Sequence, residues 1–367
     1  MAEQLAIHTL TLTKPDDWHH HLRDGAALAT TVPFAARSFG RAIAMPNLSP
    51  PVTTAALAVA YRERILAHLP PGSAFEPLMT LYLTDFTTRA DVAAAAESGV
   101  VVACKLYPKG ATTNSHGGVS DVAKIADALD EMEKRKLLLL VHGEATGDVD
   151  IFDREPTFLE DTFKPVARRY PNLRIVLEHA STKEAAAYIL NGPPNVAATV
   201  TPQHLLFNRN DMLAGGLKPH LYCMPILKAE ADRAAMAAAV TSGSPKFFLG
   251  TDSAPHEYLR KESACGCAGV FSAHAPLELY ALAFERAGAL DKLEGFASFH
   301  GPDFYGRPRS AETVALRREA WTVPAEYPFA EGRLVPLMHG EELSWKLDAP
   351  PAALPGPRCP VAKKPRT

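Results

Sequence analysis

Six residues that could hold metal ions lie scattered along the chain. His19 and His21 stand in Trp-His-His-His-Leu-Arg, Lys105 in Ala-Cys-Lys-Leu-Tyr-Pro, and His142 in Leu-Val-His-Gly-Glu. His179 stands in Leu-Glu-His-Ala and Asp252 in Leu-Gly-Thr-Asp-Ser-Ala-Pro-His. Imidazole nitrogens and carboxylate oxygens are the ligands of zinc-type ions, and two such ions held close together activate water for hydrolysis. On a strand, residues two apart share a face, so His19 and His21 point one way and His20 the other. Asp252 needs a partner if buried. Lys105 follows an apolar run, and a buried lysine must be paired, neutral or chemically modified. Taken singly, each has an ordinary reading: a polar strand end for His19-x-His21, a satisfied core histidine for His142 or His179. The set gains meaning only if the fold gathers it.

The elements that would do so are legible as short β-type runs at 16–22, 41–46, 75–83, 100–106, 137–142, 174–179, 196–201 and 246–251. Ala-rich helical stretches lie between them. In 121–134, Val122, Ile125, Leu129 and Met132 share a face, with Ser120 as N-cap. In 54–68, Leu57, Tyr61 and Ile65 have helical spacing, and Ser181 to Glu184 reads as a capping box. Eight strands alternating with helices predict an α/β fold, a (β/α)8 TIM-type barrel with short N- and C-terminal extensions. The alternative is a doubly wound sheet, which would usually carry a Gly-x-Gly-x-x-Gly turn that is absent here. In a barrel the six residues come from strands one, four, five, six and eight and meet at one mouth. The long segments 205–227 and 255–273 would wall it.

Composition sets the outer bounds. The 367 residues are 47% hydrophobic and 22% charged, enough for a large core. A net charge of -3 gives no sign of nucleic-acid or membrane partners. No apolar run approaches a membrane span, and the N-terminus does not read as a secretory signal. Five cysteines without export signals suit a reducing, cytoplasmic setting. Residues 1–348 read as one barrel domain, and 349–367 as a Pro-rich basic tail that is expected to be mobile.

The longer motifs carry a resemblance. The chain resembles the dihydroorotases of the amidohydrolase superfamily, in their shorter bacterial form. The stretches that carry it are Pro-Asp-Asp-Trp-His-His-His-Leu-Arg-Asp-Gly, Ala-Met-Pro-Asn-Leu-Ser-Pro-Pro-Val-Thr-Thr, Lys-Leu-Tyr-Pro, Ala-Thr-Thr-Asn-Ser, Leu-Val-His-Gly-Glu, Thr-Pro-Gln-His-Leu, Pro-His-Leu-Tyr-Cys-Met-Pro-Ile-Leu-Lys, Gly-Thr-Asp-Ser-Ala-Pro-His and Arg-Lys-Glu-Ser-Ala-Cys-Gly-Cys-Ala-Gly. These stretches run from residue 15 to residue 269.

The resemblance implies two zinc ions per subunit. His19, His21 and Asp252 would bind one, His142 and His179 the other, with Lys105 bridging both as its CO2-derived carbamate (N6-carboxylysine). A bridging hydroxide would attack the amide, with Asp252 as catalytic acid and base. The reaction implied is the reversible closure of N-carbamoyl-L-aspartate to L-dihydroorotate and water, in pyrimidine (UMP) biosynthesis. Arg23, Asn47 and His256 are assigned to the substrate carboxylate, and backbone groups at Met224 and Ala268 to its ring. Thr112 and Thr113 belong to a mobile lid, 108–118, in which Gly110, Gly117 and Gly118 give freedom. A homodimer is implied as well. Met224, Lys109-Gly110 and His20 depart from the usual pattern, none at a ligand position. Two rivals remain: another cyclic-amide hydrolase, such as a hydantoinase or allantoinase, and a catalytically dead scaffold on the same fold.

Overall fold

The computed structural model describes residues 8–354. An N-terminal strand, β1 (Thr9–Thr13), precedes a sheet of eight parallel strands in chain order. These are β2 (Asp17–His20), β3 (Arg41–Ala44), β4 (Glu76–Tyr82), β5 (Val101–Leu106), β6 (Leu138–His142), β7 (Ile175–Glu178), β8 (Val196–Val200) and β9 (Phe247–Leu249). Each falls inside its predicted run. Strands such as β6, Leu-Leu-Leu-Val-His, are buried on both faces, which is why they read as continuous apolar runs.

The sheet closes just past β9. The Asp252 N–H donates to the His19 carbonyl at 2.9 Å, and the His21 N–H to that of Ser253 at 3.1 Å. Closure excludes the doubly wound alternative and gives the (β/α)8 barrel. Inside, Trp18, Ile43, Leu78, Leu140, Val176 and Phe248 form a compact core. Helix His300–Tyr305 plugs the lower end, where the Tyr305 ring stacks on Trp18 at 4.1 Å between centroids. A Cβ at Gly301 would meet Trp18 Nε1 at 1.9 Å, so only glycine allows that approach.

Three local expectations are corrected. The segment after Ser120 is capped by Asp121, which accepts from the Ala123 N–H, because Ser120 is drawn to Asp85. Helix Lys183–Asn191 starts from Thr182, since the Ser181 hydroxyl is spent on buried Glu155. In helix Ala55–Leu66 the buried face is Ala58, Tyr61 and Ile65, while Leu57 is exposed.

The chain ends form a second layer. β1 pairs with β10 (Thr313–Thr322); β11 (Tyr327–Phe329) and β12 (Gly332–Leu334) make a hairpin; β13 (Glu342–Leu347) pairs with β10. The segment expected to be mobile begins packed: Arg37 Nε donates to the Pro350 carbonyl at 2.9 Å, and Ala352 and Leu354 lie against apolar side chains. Residues 355–367 lie outside the described residues. Among those described, no helix is long and apolar enough to cross a membrane.

Candidate metal centre

The strand ends bring all six residues of the predicted set to one mouth. His19 lies in β2 with His21 one residue beyond, Lys105 in β5, and His142 at the end of β6. His179 follows β7, and Asp252 lies three residues past β9. His179 (φ 44°), Asp252 (φ 45°) and Arg23 (φ 61°) adopt left-handed backbone, a costly conformation for side chains other than glycine's. It turns each chain sharply where its strand ends, at the mouth. All six are buried.

Their ligand atoms converge. His19 Nε2 lies 3.2 Å from His21 Nε2 and 3.2 Å from Asp252 Oδ1, and His21 Nε2 lies 3.1 Å from the same oxygen. Ligands at ordinary zinc distances in a tetrahedron are separated by about 3.3 Å. A second pair, His142 Nδ1 and His179 Nε2, is 3.1 Å apart. Burial holds the His19, His142 and His179 imidazoles below their usual range and pushes His21 down to about 3. Neutral rings with a free lone pair are what a metal needs. Burial pushes the Asp252 carboxyl up, but His19 and His21 outweigh it and keep it well below the usual carboxylate range.

Lys105 sits among them. Burial drives its amine well below the ordinary lysine value. Its Nζ contacts the Glu178 carboxyl, yet no hydrogen bond of normal geometry satisfies Nζ or either Glu178 oxygen. His179 Nδ1 is also buried without a partner. Converging lone pairs, unsatisfied buried polar atoms and a neutral-leaning lysine fit a metal centre better than a closed hydrogen-bond network.

Two glutamates missing from the predicted set stand behind it. Glu144 Oε2 is 2.7 Å from His142 Nε2, which fixes the tautomer that presents Nδ1 to the centre. Glu178 Oε1 lies 3.1 Å from His19 Nδ1, off the hydrogen-bond direction. Both belong to motifs already singled out, His-Gly-Glu and Glu-His. The available signal was that a ligating imidazole needs something for its other nitrogen.

Six of the seven predicted substrate residues line one small cavity; His256 lies behind it, against Arg23. Arg23, Asn47, Thr112, Thr113, Met224 and Ala268 join the histidines and Asp252 there, with Tyr107 as an unpredicted wall. Tyr107 is two residues past Lys105, so strand alternation could have found it. Arg23 is braced by Nε donation to the Pro255 carbonyl at 3.0 Å, with Nη2 3.1 Å from His256 Nε2. His256 Nε2 is also 2.8 Å from the Ala268 carbonyl. Burial, Arg23 and Lys261 push His256 down to about 2, so its ring is neutral.

The segment 108–118 covers this cavity. Asn47 Nδ2 donates to the Thr113 carbonyl at 3.1 Å, and Asn114 Nδ2 donates to the Asn47 carbonyl at 2.9 Å. The Tyr82 hydroxyl donates to the Asn114 carbonyl at 3.1 Å. Of the three lid glycines, Gly110 has a positive φ of 83°, and a Cβ at Gly118 would meet the Tyr107 carbonyl at 2.3 Å. Gly117 shows neither constraint.

Comparison with known proteins places the chain in a family. The amidohydrolase family description matches residues 13–342. A dihydroorotase of Laribacter hongkongensis is 61% identical over 343 residues, covering 93% of this chain and 99% of that protein. The crystal structure of a dihydroorotase from Campylobacter jejuni superposes with a TM-score of 0.85 at 36% identity, covering 93% of this chain and 97% of that one. That of a Saccharomyces cerevisiae dihydroorotase in complex with 5-fluoroorotic acid gives 0.86 at 31%, covering 94% and 100%. The chain belongs to the amidohydrolase family and, within it, to the dihydroorotases.

Proposed function

We propose that this protein interconverts N-carbamoyl-L-aspartate and L-dihydroorotate plus water, with two zinc ions and a carbamate on Lys105. The observation that carries this reading is that Arg23 and Asn47 line the same cavity as His19, His21, His142, His179 and Asp252. His19, His21 and Asp252 would hold one ion and His142 and His179 the other, with Lys105, as its carbamate, supplying further oxygen ligands. When bound, the ions polarise the scissile carbonyl and supply a hydroxide near neutral pH.

The chain's own groups do the rest. Asp252 Oδ1 faces the two imidazoles, and Oδ2 carries the proton between the attacking water and the leaving amide nitrogen. The braced Arg23 guanidinium takes the substrate carboxylate in its planar fork, beside Asn47 and His256. Thr112 and Thr113 close over the substrate from the lid, and the tight cavity excludes bulk water. Backbone groups at Met224 and Ala268 meet the ring. We assign residues 1–348 to one barrel domain, working as a homodimer in the cytoplasm.

The test is turnover of L-dihydroorotate and of hydantoin by the purified, metal-loaded protein. Turnover of dihydroorotate, lost in Asp252→Asn, is expected. Turnover of hydantoin alone would assign the chain to the rival hydrolases, and no turnover with little bound metal to the dead scaffold.

A further inference from the structure

Lys261 is a buried cation outside the metal cluster, only 4% exposed, at the end of the short helix Tyr258–Lys261. Its Nζ donates to the carbonyls of Tyr222 at 2.8 Å, Cys267 at 2.9 Å and Gly269 at 2.8 Å. An ammonium has three donors, and these bonds use all of them. Arg23 is the nearby cation that acts on it, and no carboxylate is among the groups that do. Carbonyl dipoles solvate the charge without cancelling it. Burying an ammonium this way costs several kcal/mol unless something is gained.

The three carbonyls show what is gained. Tyr222 is two residues before Met224, and Cys267 and Gly269 bracket Ala268. Met224 and Ala268 both line the cavity that the histidines and Asp252 line. The same segments are joined directly by the Gly269 N–H donating to the Tyr222 carbonyl at 3.0 Å. Gly269 (φ 146°) packs against Ala254, whose carbonyl a Cβ there would meet at 2.3 Å. The Ala268 carbonyl is also in contact with His256, which contacts Arg23. The lysine therefore ties together two loops that are more than forty residues apart in the chain. Its partners stand two residues from Met224 and one residue either side of Ala268, the positions assigned to the substrate ring.

We propose that Lys261 is a positioning residue for the substrate. Its ammonium holds the 222–224 and 267–269 segments at the spacing where both meet the ring, and it adds a fixed positive charge behind Arg23. This rests on the dihydroorotase reading above. A lysine that merely staples a surface loop would change stability and leave substrate affinity alone. A positioning lysine changes KM more than kcat, because the ring contacts it sets are already made in the bound ground state.

The experiment is steady-state kinetics on L-dihydroorotate with the native protein, Lys261→Met and Lys261→Gln, each checked for metal content and thermal unfolding. Native turnover establishes the substrate first; its failure would remove the dihydroorotase reading and not the clamp in particular. Given that turnover, Lys261→Met is expected to raise KM about tenfold or more with a smaller fall in kcat and unchanged metal content. Lys261→Gln, whose amide can reach two of the three carbonyls, is expected to lie between. If Lys261→Met does not fold, the raised KM of Lys261→Gln carries the test. A native KM in the folded variants, or a loss confined to kcat, overturns the proposal.

Discussion

At the scale of single residues, the centre works through paired nitrogens. His142 offers Nδ1 to the centre because Glu144 holds Nε2 at 2.7 Å. Removing such an orienting carboxylate typically costs 10–100-fold in metal affinity. Glu144→Ala is therefore expected to lose metal to a chelator roughly that much more readily than the native protein, with the fold intact. Equal retention would show that His142 needs no orientation. The convergence of these side chains was legible because histidines and an aspartate at strand ends are chemically unusual. Glu144 and Glu178 were not, because a glutamate beside a histidine in sequence is common, and only the fold shows it buried behind the ring. Lys261 was hidden for a similar reason: in Arg-Lys-Glu-Ser it reads as an exposed charge.

At the scale of elements, strand period and barrel closure account for the site. Alternation placed His19 and His21 together and sent His20 to Asp17, 2.7 Å from His20 Nδ1. All eight strands were legible as apolar runs, since parallel strands are buried on both faces. Helix starts were less so. Ser120 and Ser181 had suitable neighbours in sequence but are claimed by Asp85 and Glu155 in the fold, a competition that local pattern does not contain. The lid is held shut through Asn47, Asn114 and Tyr82, so its threonines are presented to the cavity by backbone bonds. Thr113→Ala is expected to lower turnover about tenfold or more while metal content stays native. Unchanged kinetics would take the lid's side chains out of the reaction.

At the scale of the whole molecule, the buried histidines set a pH limit. Burial pushes His204 down to about 4 and His274 down to about 3. The unfolded chain takes up these protons near pH 6.5 and the folded chain does not. Their contribution is thus fully present above 6.5 and is lost as pH falls from there toward 4 and 3. Between pH 7 and 5 each such group lowers stability by about 2 kcal/mol. Urea unfolding should show native stability falling over that range, and the fall should be smaller by about 2 kcal/mol in His274→Phe. Identical slopes would mean that His274 is protonated in the folded state. The barrel brings six side chains from five strands to one place, and Lys105 is the residue whose proposed role depends most on that. The most direct test of this account is turnover of L-dihydroorotate as zinc and bicarbonate are returned to metal-stripped protein. Activity is predicted to rise until two ions are bound per chain and to be absent in Lys105→Ala at every zinc level. Full activity at one ion per chain, or native turnover by Lys105→Ala, would contradict it.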